Sequence, residues 1–447
     1  MALTIDQRDL EERAARLVDA ARKAGADAAD AVAMAGQSLS ASVREGKVEE
    51  TGRSESDGFT LRVFVGRRVA SVSANALDDL DGLCERAVAM ARVAPEDPFA
   101  GLAGQSELAR DFPSLDLLDT YDVNADELRD AALAAEAAGL AVAGVSKSGG
   151  ASASGGVGGI VLATSNGFSG SYLVSRHSLS MTAVAGEGTG MERDYDFDFR
   201  THKADLDAPV DIGRRAGERA VRRLNPQKVD TCTTAIVFEP RAARSLVGHF
   251  AGAVNGASVA RKTSFLRDLM GKPVFAPGIS IVDDPLKPRS AGSRPFDGEG
   301  RTVAPLTMVE DGVLKAWFLD GPSARELGLE SNARASRTGS GTSPGSTNLA
   351  LSPGNISPED LIREIGTGLY VTDLIGHGVN PVTGDYSRGV SGFWIENGEL
   401  TYPVSEVTVA GNLKDMFARL RPADDPDLRF STIAPTVAIE GLTLAGR

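Results

Sequence analysis

Four histidines, two cysteines and a few short acidic runs are the side chains of this 447-residue chain that could hold a metal or move a proton. His177, His202, His249 and His377 lie too far apart for a helical zinc pair of the His-Glu-x-x-His kind, in which one helix face carries both imidazoles. His249, on a helix beside Gly248, and His377, in a loop between glycines, are expected to be satisfied polar groups. Cys84 and Cys232 make neither a C-x-x-C nor a disulfide framework, which fits a reducing cytoplasm. Asp194, Asp196 and Asp198 alternate with Tyr195, Phe197 and Phe199, so a strand there puts carboxylates on one face and rings on the other. No glycine or distal glutamate completes a calcium loop, and a half-buried strand is the expectation. Asp283-Asp284-Pro285 and Asp297-Gly298-Glu299-Gly300 read as turns.

Several nucleotide and hydrolase signatures fail on single residues. Gly46-Lys47 is followed by Val48 and Gly271-Lys272 by Pro273, so the hydroxyl a Walker loop needs for magnesium is missing. The glycines at 156–159 and 186–190 do not place a third glycine at the offset of a dinucleotide fingerprint and lead into no helix. Gly341-Thr342-Ser343-Pro344-Gly345 matches Gly-x-Ser-x-Gly, but the oxyanion hole of that motif uses the N–H of the residue after the serine, and proline has none. Thr338 to Asn348 is expected to be a loop.

The elements that must carry these groups follow from periodicity. Leu10, Ala14, Leu17, Val18 and Ala21 form one apolar helical face after a capping-box spacing at Thr4 and Gln7. Alternation from Ala31 to Val48 and from Phe59 to Ser73 marks strand pairs about Glu45-Gly46-Lys47 and Gly66-Arg67-Arg68. Helical spacing returns at Leu77 to Ala91 and, from Asn124 with Glu127 three residues on, through Ala135. The Gly/Ser-rich stretch 144–190 reads as strands with generous turns, and Asp207 to Asn225 as a basic amphipathic helix. A second block begins with a strand at Thr234 to Phe238 and a helix at Arg241 to Val254. It holds hairpins at Asp311-Gly312 and Asn397-Gly398. The expected fold is α+β in two domains, 1–228 and 229–447, with mainly antiparallel sheets flanked by helices.

Composition narrows the partners. Apolar residues make up 42% and aromatics 5%, as in a globular protein with an Ala, Val and Leu core. A net charge of −14 repels phosphate backbones and anionic lipid, so neither nucleic acid nor a membrane surface is expected. The N-terminal stretch has acids where a secretory leader would be basic, and no run approaches the about 20 apolar residues of a membrane span.

The C-terminal third is the most distinctive text. It reads Gly366-Thr367-Gly368-Leu369-Tyr370-Val371-Thr372, then Gly378-Val379-Asn380 and Thr383-Gly384-Asp385-Tyr386-Ser387-Arg388-Gly389. Gly392-Phe393-Trp394-Ile395-Glu396-Asn397-Gly398-Glu399, Tyr402-Pro403-Val404-Ser405-Glu406 and Ala410-Gly411-Asn412-Leu413 follow. With Pro295-Phe296-Asp297-x-Glu299-Gly300 and Ser323-Ala324-Arg325-Glu326-Leu327-Gly328-Leu329, the chain resembles the TldD/PmbA family, on its PmbA/TldE branch, over nearly its whole length. The resemblance implies a cytoplasmic bacterial protein that pairs with a TldD-like sister, the two acting as a zinc peptidase on unfolded or precursor peptides. An older family label is modulator of DNA gyrase.

In the sister, a helix carries His-Glu-x-x-x-His, with histidines as zinc ligands and the glutamate as general base. The matching stretch here is Arg244-Ser245-Leu246-Val247-Gly248-His249, and no cysteine follows Cys232 to supply the sister's further ligand. A guanidinium repels zinc, and a serine hydroxyl accepts no proton near neutrality. The expectation is therefore a non-catalytic partner subunit with no catalytic, cofactor or metal residue of its own. Zinc is expected in the sister, and the isolated chain could pair with a second copy. Two alternatives stay open: a regulatory binding protein such as a gyrase modulator, and a self-sufficient hydrolase using His249, His377 and nearby carboxylates.

Overall fold

The computed structural model describes residues 3–338 and 341–447. Helix α1 (Gln7–Lys23) is capped by Asp6, whose carboxylate accepts the Asp9 N–H at 3.1 Å, and buries the five apolar residues of its predicted face. Thr4 is not the cap; its N–H donates to Gln37 Oε1. Strands β1 (Ala28–Arg44), β2 (Lys47–Val65) and β3 (Arg68–Ala74) follow, and the β1–β2 turn places Glu45 and Gly46 at φ 51° and 71°. Two successive left-handed residues make the tight turn whose twist suits a hairpin. The buried Glu136 carboxylate holds that turn by accepting both of its N–H groups at 2.8 Å.

Helices α2 (Leu80–Val93) and α3 (Ala125–Leu140) start at the caps Asp79 and Asn124. Strands β4 (Val145–Thr164), β5 (Ser169–Ala185) and β6 (Glu192–Arg200) and helix α4 (Pro209–Arg222) complete the first half. All six strands form one antiparallel sheet in the order β3-β2-β1-β4-β5-β6. The stretch 144–190 is mostly two long strands, with most of its glycines inside them instead of in turns. Helices α1 and α2 cover one core built on Leu17, Phe59, Leu61 and Val88, and α3 and α4 a second around Ala135, Met181 and Ile212. Helices α3 and α4 touch backbone to backbone, since a Cβ at Gly213 would stand 1.9 Å from the Ala135 carbonyl.

The second half opens with β7 (Cys232–Phe238) and α5 (Pro240–Ala253). It continues through β8 (Ile281–Asp283), β9 (Leu306–Glu310), β10 (Val313–Leu314), β11 (Ala335–Thr338), β12 (Gly341–Pro344) and β13 (Leu349–Leu351). Strands β14 (Gly368–Ile375), β15 (Asp385–Glu396), β16 (Glu399–Asn412), β17 (Arg421–Pro422), β18 (Thr432–Ile433) and β19 (Val437–Ala445) end it. The larger sheet runs β16-β15-β14-β7-β19-β17 and the smaller β10-β9-β8-β13-β18, with α5 packed between them on Phe238, Phe250, Phe275, Ile281 and Phe417. Asp311-Gly312 and Asn397-Gly398 both turn with positive φ, as their hairpin signature requires. Gly392 is fixed by contact, because a Cβ there would meet the Tyr370 carbonyl at 1.8 Å.

The architecture is α+β in two domains with mainly antiparallel sheets. Two local expectations need correction. The segment read as a loop from Thr338 to Asn348 begins with the hairpin of β11 and β12, in which Ser336 faces Ser343, and continues into β13; residues 339 and 340 lie outside the described chain. Asp283 is a strand residue, wholly buried and paired with the wholly buried Arg334 at 2.6 Å, while only Asp284 makes the turn, accepting from Leu286 N. A following proline suggests a turn, but a fully desolvated carboxylate persists only where a cation meets it. Asp297 does make the expected turn, accepting the N–H groups of Glu299 and Arg301 at 2.9 Å. Among the described residues no helix is long and apolar enough to cross a membrane.

Candidate functional site

Helix α5 carries the stretch that the sequence singles out. Pro240 opens it at a position where a missing N–H costs nothing, and Ala242, Ala243, Leu246, Val247, Phe250 and Ala253 face the core. That leaves Arg241, Arg244, Ser245 and His249 on the other side, toward β6, β15 and the segment before β18.

Arg241 and Ser245 are held by hydrogen bonds and Arg244 by an aromatic ring. Arg241 pairs with Asp194 at 3.0 Å and Glu239 at 2.9 Å and donates to the Thr372 carbonyl. Arg244 lies over the Phe430 ring, 3.5 Å from its centroid. Burial pulls its pKa below the ordinary arginine value, with Asp427 opposing, and an arginine so shifted still keeps its charge. The Ser245 hydroxyl donates to the Ala242 carbonyl at 2.7 Å, one turn back on its own helix.

His249 keeps a buried Nε2 without a hydrogen-bond partner and meets Tyr386 edge to face, 6.1 Å between centroids. The Tyr386 hydroxyl and Arg388 Nε are likewise buried and unpartnered, and burial pushes the Tyr386 phenol up to about 12, with Arg388 opposing. Burial, then the charges of Arg388 and His377, holds His249 below the usual imidazole range. His249 and His377 thus come near enough to sense one another, but no carboxylate or thiolate joins them. Among the described residues no group of three or more His, Cys, Asp and Glu side chains could hold a metal ion. Zinc does not fit this donor set, in which the unpartnered His249 Nε2 has Arg388 and a neutral phenol for neighbours.

His249 favours its neutral form in the fold, so it takes up a proton more readily when unfolded, and stability gained from it is lost as pH falls below about 6.5. Denaturant titrations should therefore show the wild-type advantage over His249→Gln shrinking from pH 8 to pH 5. An advantage that grows on acidification would mean the imidazole is charged in place.

The remaining candidates are scattered. His177 sits 3.2 Å from Asp119 and His202 3.4 Å from Asp116, both in the first half. Cys84 is buried under α1, and burial, with Asp81 adding, pushes its thiol up to about 11. Asp194, Asp196 and Asp198 are buried on one face of β6 as the alternation predicts. Arg215 and Arg219 reach Asp196 at 2.6 Å, and Arg223 and Arg241 reach Asp194 at 3.2 and 3.0 Å, so the acidic row is an ion-pair ladder. Burial alone would raise Asp194, but Arg241, the Tyr195 N–H and Arg223 together outweigh it and hold the carboxyl below its ordinary range. The basic helix that follows the acidic strand in sequence was the available signal for this ladder. Nothing in sequence pointed to Phe430 as the partner of Arg244.

Comparison with known proteins agrees with the local text. The models of the PmbA/TldA metallopeptidase domain 1, central domain and C-terminal domain match residues 29–91, 118–224 and 231–446. The chain is 35% identical to the Metalloprotease PmbA homolog of Haemophilus influenzae, covering 99% of this chain and 98% of that protein. It is 36% identical to Metalloprotease PmbA of Escherichia coli O157:H7 over 92% and 90% of the two chains. A Bacteroides thetaiotaomicron crystal structure, named for modulation of DNA gyrase, superposes with TM-score 0.91 at 28% identity, covering 99% of this chain and all of that one. TldE of Thermococcus kodakarensis shares the fold at TM-score 0.84 and 21% identity, over 97% and 99% of the two chains. With full-length relatives and family models in chain order along the two halves described above, the chain belongs to the PmbA/TldD metallopeptidase family.

Proposed function

We propose that this chain is the non-catalytic, PmbA/TldE-type subunit of a zinc metallopeptidase complex that cleaves unfolded or precursor peptides in the cytoplasm. The observation that carries this reading is the state of α5. Its first ligand position holds a guanidinium stacked on Phe430, its base position a serine bonded to its own helix, and its last position an imidazole with no second donor. Zinc and the general base then belong to a TldD-like sister with an intact His-Glu-x-x-x-His helix.

The test is elemental analysis and peptidase assay of the purified chain, alone and mixed with the sister. The expected result is no stoichiometric zinc and no cleavage by this chain, with cleavage when both are present. Stoichiometric zinc in the isolated chain, or full activity of the sister without it, would overturn the reading. The name of the Bacteroides thetaiotaomicron structure favours a second reading, a gyrase-binding regulator, which capture of gyrase subunits by this chain without any sister would support.

A further inference from the structure

The side of β6 opposite its acidic row carries Tyr195, Phe197 and Phe199. Phe197 and Phe430 stand 5.4 Å apart, and with Phe199 they wall a cavity of about 610 Å³ that also holds the Ser180 and Thr182 side chains of β5. A neighbouring cavity of about 260 Å³ shares Phe199, Phe430 and Arg244 with it. Arg244 therefore borders both spaces.

Arg244 differs from the arginines around it. Arg215, Arg219, Arg223 and Arg241 each hold an aspartate of the ladder, and Arg429 holds Asp427 at 2.8 Å. Among the described residues Arg244 has no hydrogen bond and no ion pair, and its Nε is buried without a partner. Asp427 acts on it only through charge and is already bound by Arg429. Asp198, the other acid at the cavity, is occupied by Arg200 and by the N–H groups of Phe199 and Asp207. Contact with Phe430 uses the face of the guanidinium and, with Nε buried, leaves the two terminal nitrogens as the donors for a ligand.

We propose that Arg244 and the rings beside it form a receptor for the C-terminal residue of a peptide ending in an apolar or aromatic side chain. A planar fork of donors calls for a carboxylate, which it binds through two parallel hydrogen bonds. Aromatic walls call for an apolar group. A C-terminal residue presents both on one Cα, whereas an internal aspartate or glutamate brings a carboxylate with peptide backbone on either side. The proposal rests on the peptide-binding part of the subunit reading but needs neither the sister nor zinc.

The experiment is calorimetric titration of the full chain alone with Gly-Gly-Gly-Gly-Phe as free acid and as C-terminal amide, and with N-acetylphenylalanine. The acid should bind, and the amide should bind roughly tenfold or more weakly, since a hydrogen bond to a charged group is lost. Arg244→Met should weaken the acid by a similar factor while leaving the weak binding of the amide unchanged, because methionine keeps the apolar contact with Phe430 and removes only the donors. Equal binding of acid and amide, no binding of the acid, or an unaltered Arg244→Met would overturn the proposal. Binding of N-acetylphenylalanine without the pentapeptide would overturn the peptide assignment in favour of a free small carboxylate. Since neither metal nor cleavage enters this test, it can fail while the subunit role stands, and the reverse.

Discussion

Asp283→Ala should lower the unfolding free energy by about 3–5 kcal/mol, and adding Arg334→Met should return part of that loss. Both side chains are wholly buried, and the carboxylate accepts from Arg334 Nε and from the Thr347 N–H at 2.6 Å each and from the Thr347 hydroxyl at 2.8 Å. Removing the carboxylate alone strands a guanidinium where water does not reach, and that orphaned charge dominates the cost. Replacing both partners removes the charge as well. Recovery stays partial because Arg334 also donates to the carbonyls of Ala304 and Asn332, which lose their donor in the double variant. Urea denaturation of the three proteins is the measurement. If single and double variants are equally unstable, the loss lies in the hydrogen bonds and not in the unpaired charge.

The second large effect is expected at Asp30, the ionic hub between the two halves. Its carboxylate accepts from Arg62 Nε at 3.0 Å within the first sheet and from Arg337 Nη1 of β11 at 2.8 Å. Burial pushes this carboxyl up, but Arg337 and Arg62 together outweigh it and hold it below the ordinary range. Asp30→Asn keeps the shape and leaves two cations without a counter-charge, a loss of about 3 kcal/mol or more at neutral pH. Because the folded pKa is the depressed one, this stabilisation is present above about 3.9 and disappears as pH falls through the folded value. The gap between wild type and variant should therefore be steady from pH 7 to pH 5 and begin to narrow below about pH 4. A gap of equal size at pH 3 would assign the effect to packing.

Much of the fold could be read before any coordinates, because it is set by short-range patterns. The apolar face of α1, the cap at Asn124, the left-handed turns at Asp311-Gly312 and Asn397-Gly398 and the two-sided strand β6 each follow from residues within a few positions of one another. Local patterns mislead where a distant partner decides. Asp283 looked like a turn residue because Arg334, which lets it be buried, is far away in sequence. The hairpin of β11 and β12 was hidden by proline and glycine, whose turn signal is strong locally; Pro344 ends its strand, and its carbonyl is free to accept from Asn255. The candidate site divides in the same way. The replacement of ligand and base at Arg244 and Ser245 was plain in the sequence. The ring that Arg244 stacks on is brought in by the chain just before β18, and no local pattern announces it.

The position of β19 sets an order on synthesis. In the larger sheet of the second half it pairs with β7 on one side and with β16 and β17 on the other, yet it follows all of them in the chain. A ribosome adding about 5–20 residues per second exposes β7 for ten seconds or more before its antiparallel neighbour exists. The antiparallel sheet of the first half has all its strands by residue 200 and can close while the rest is still being made. The nascent second half, by contrast, carries an open, apolar strand edge throughout that interval, which makes it the part of the newborn protein most in need of shelter from its neighbours.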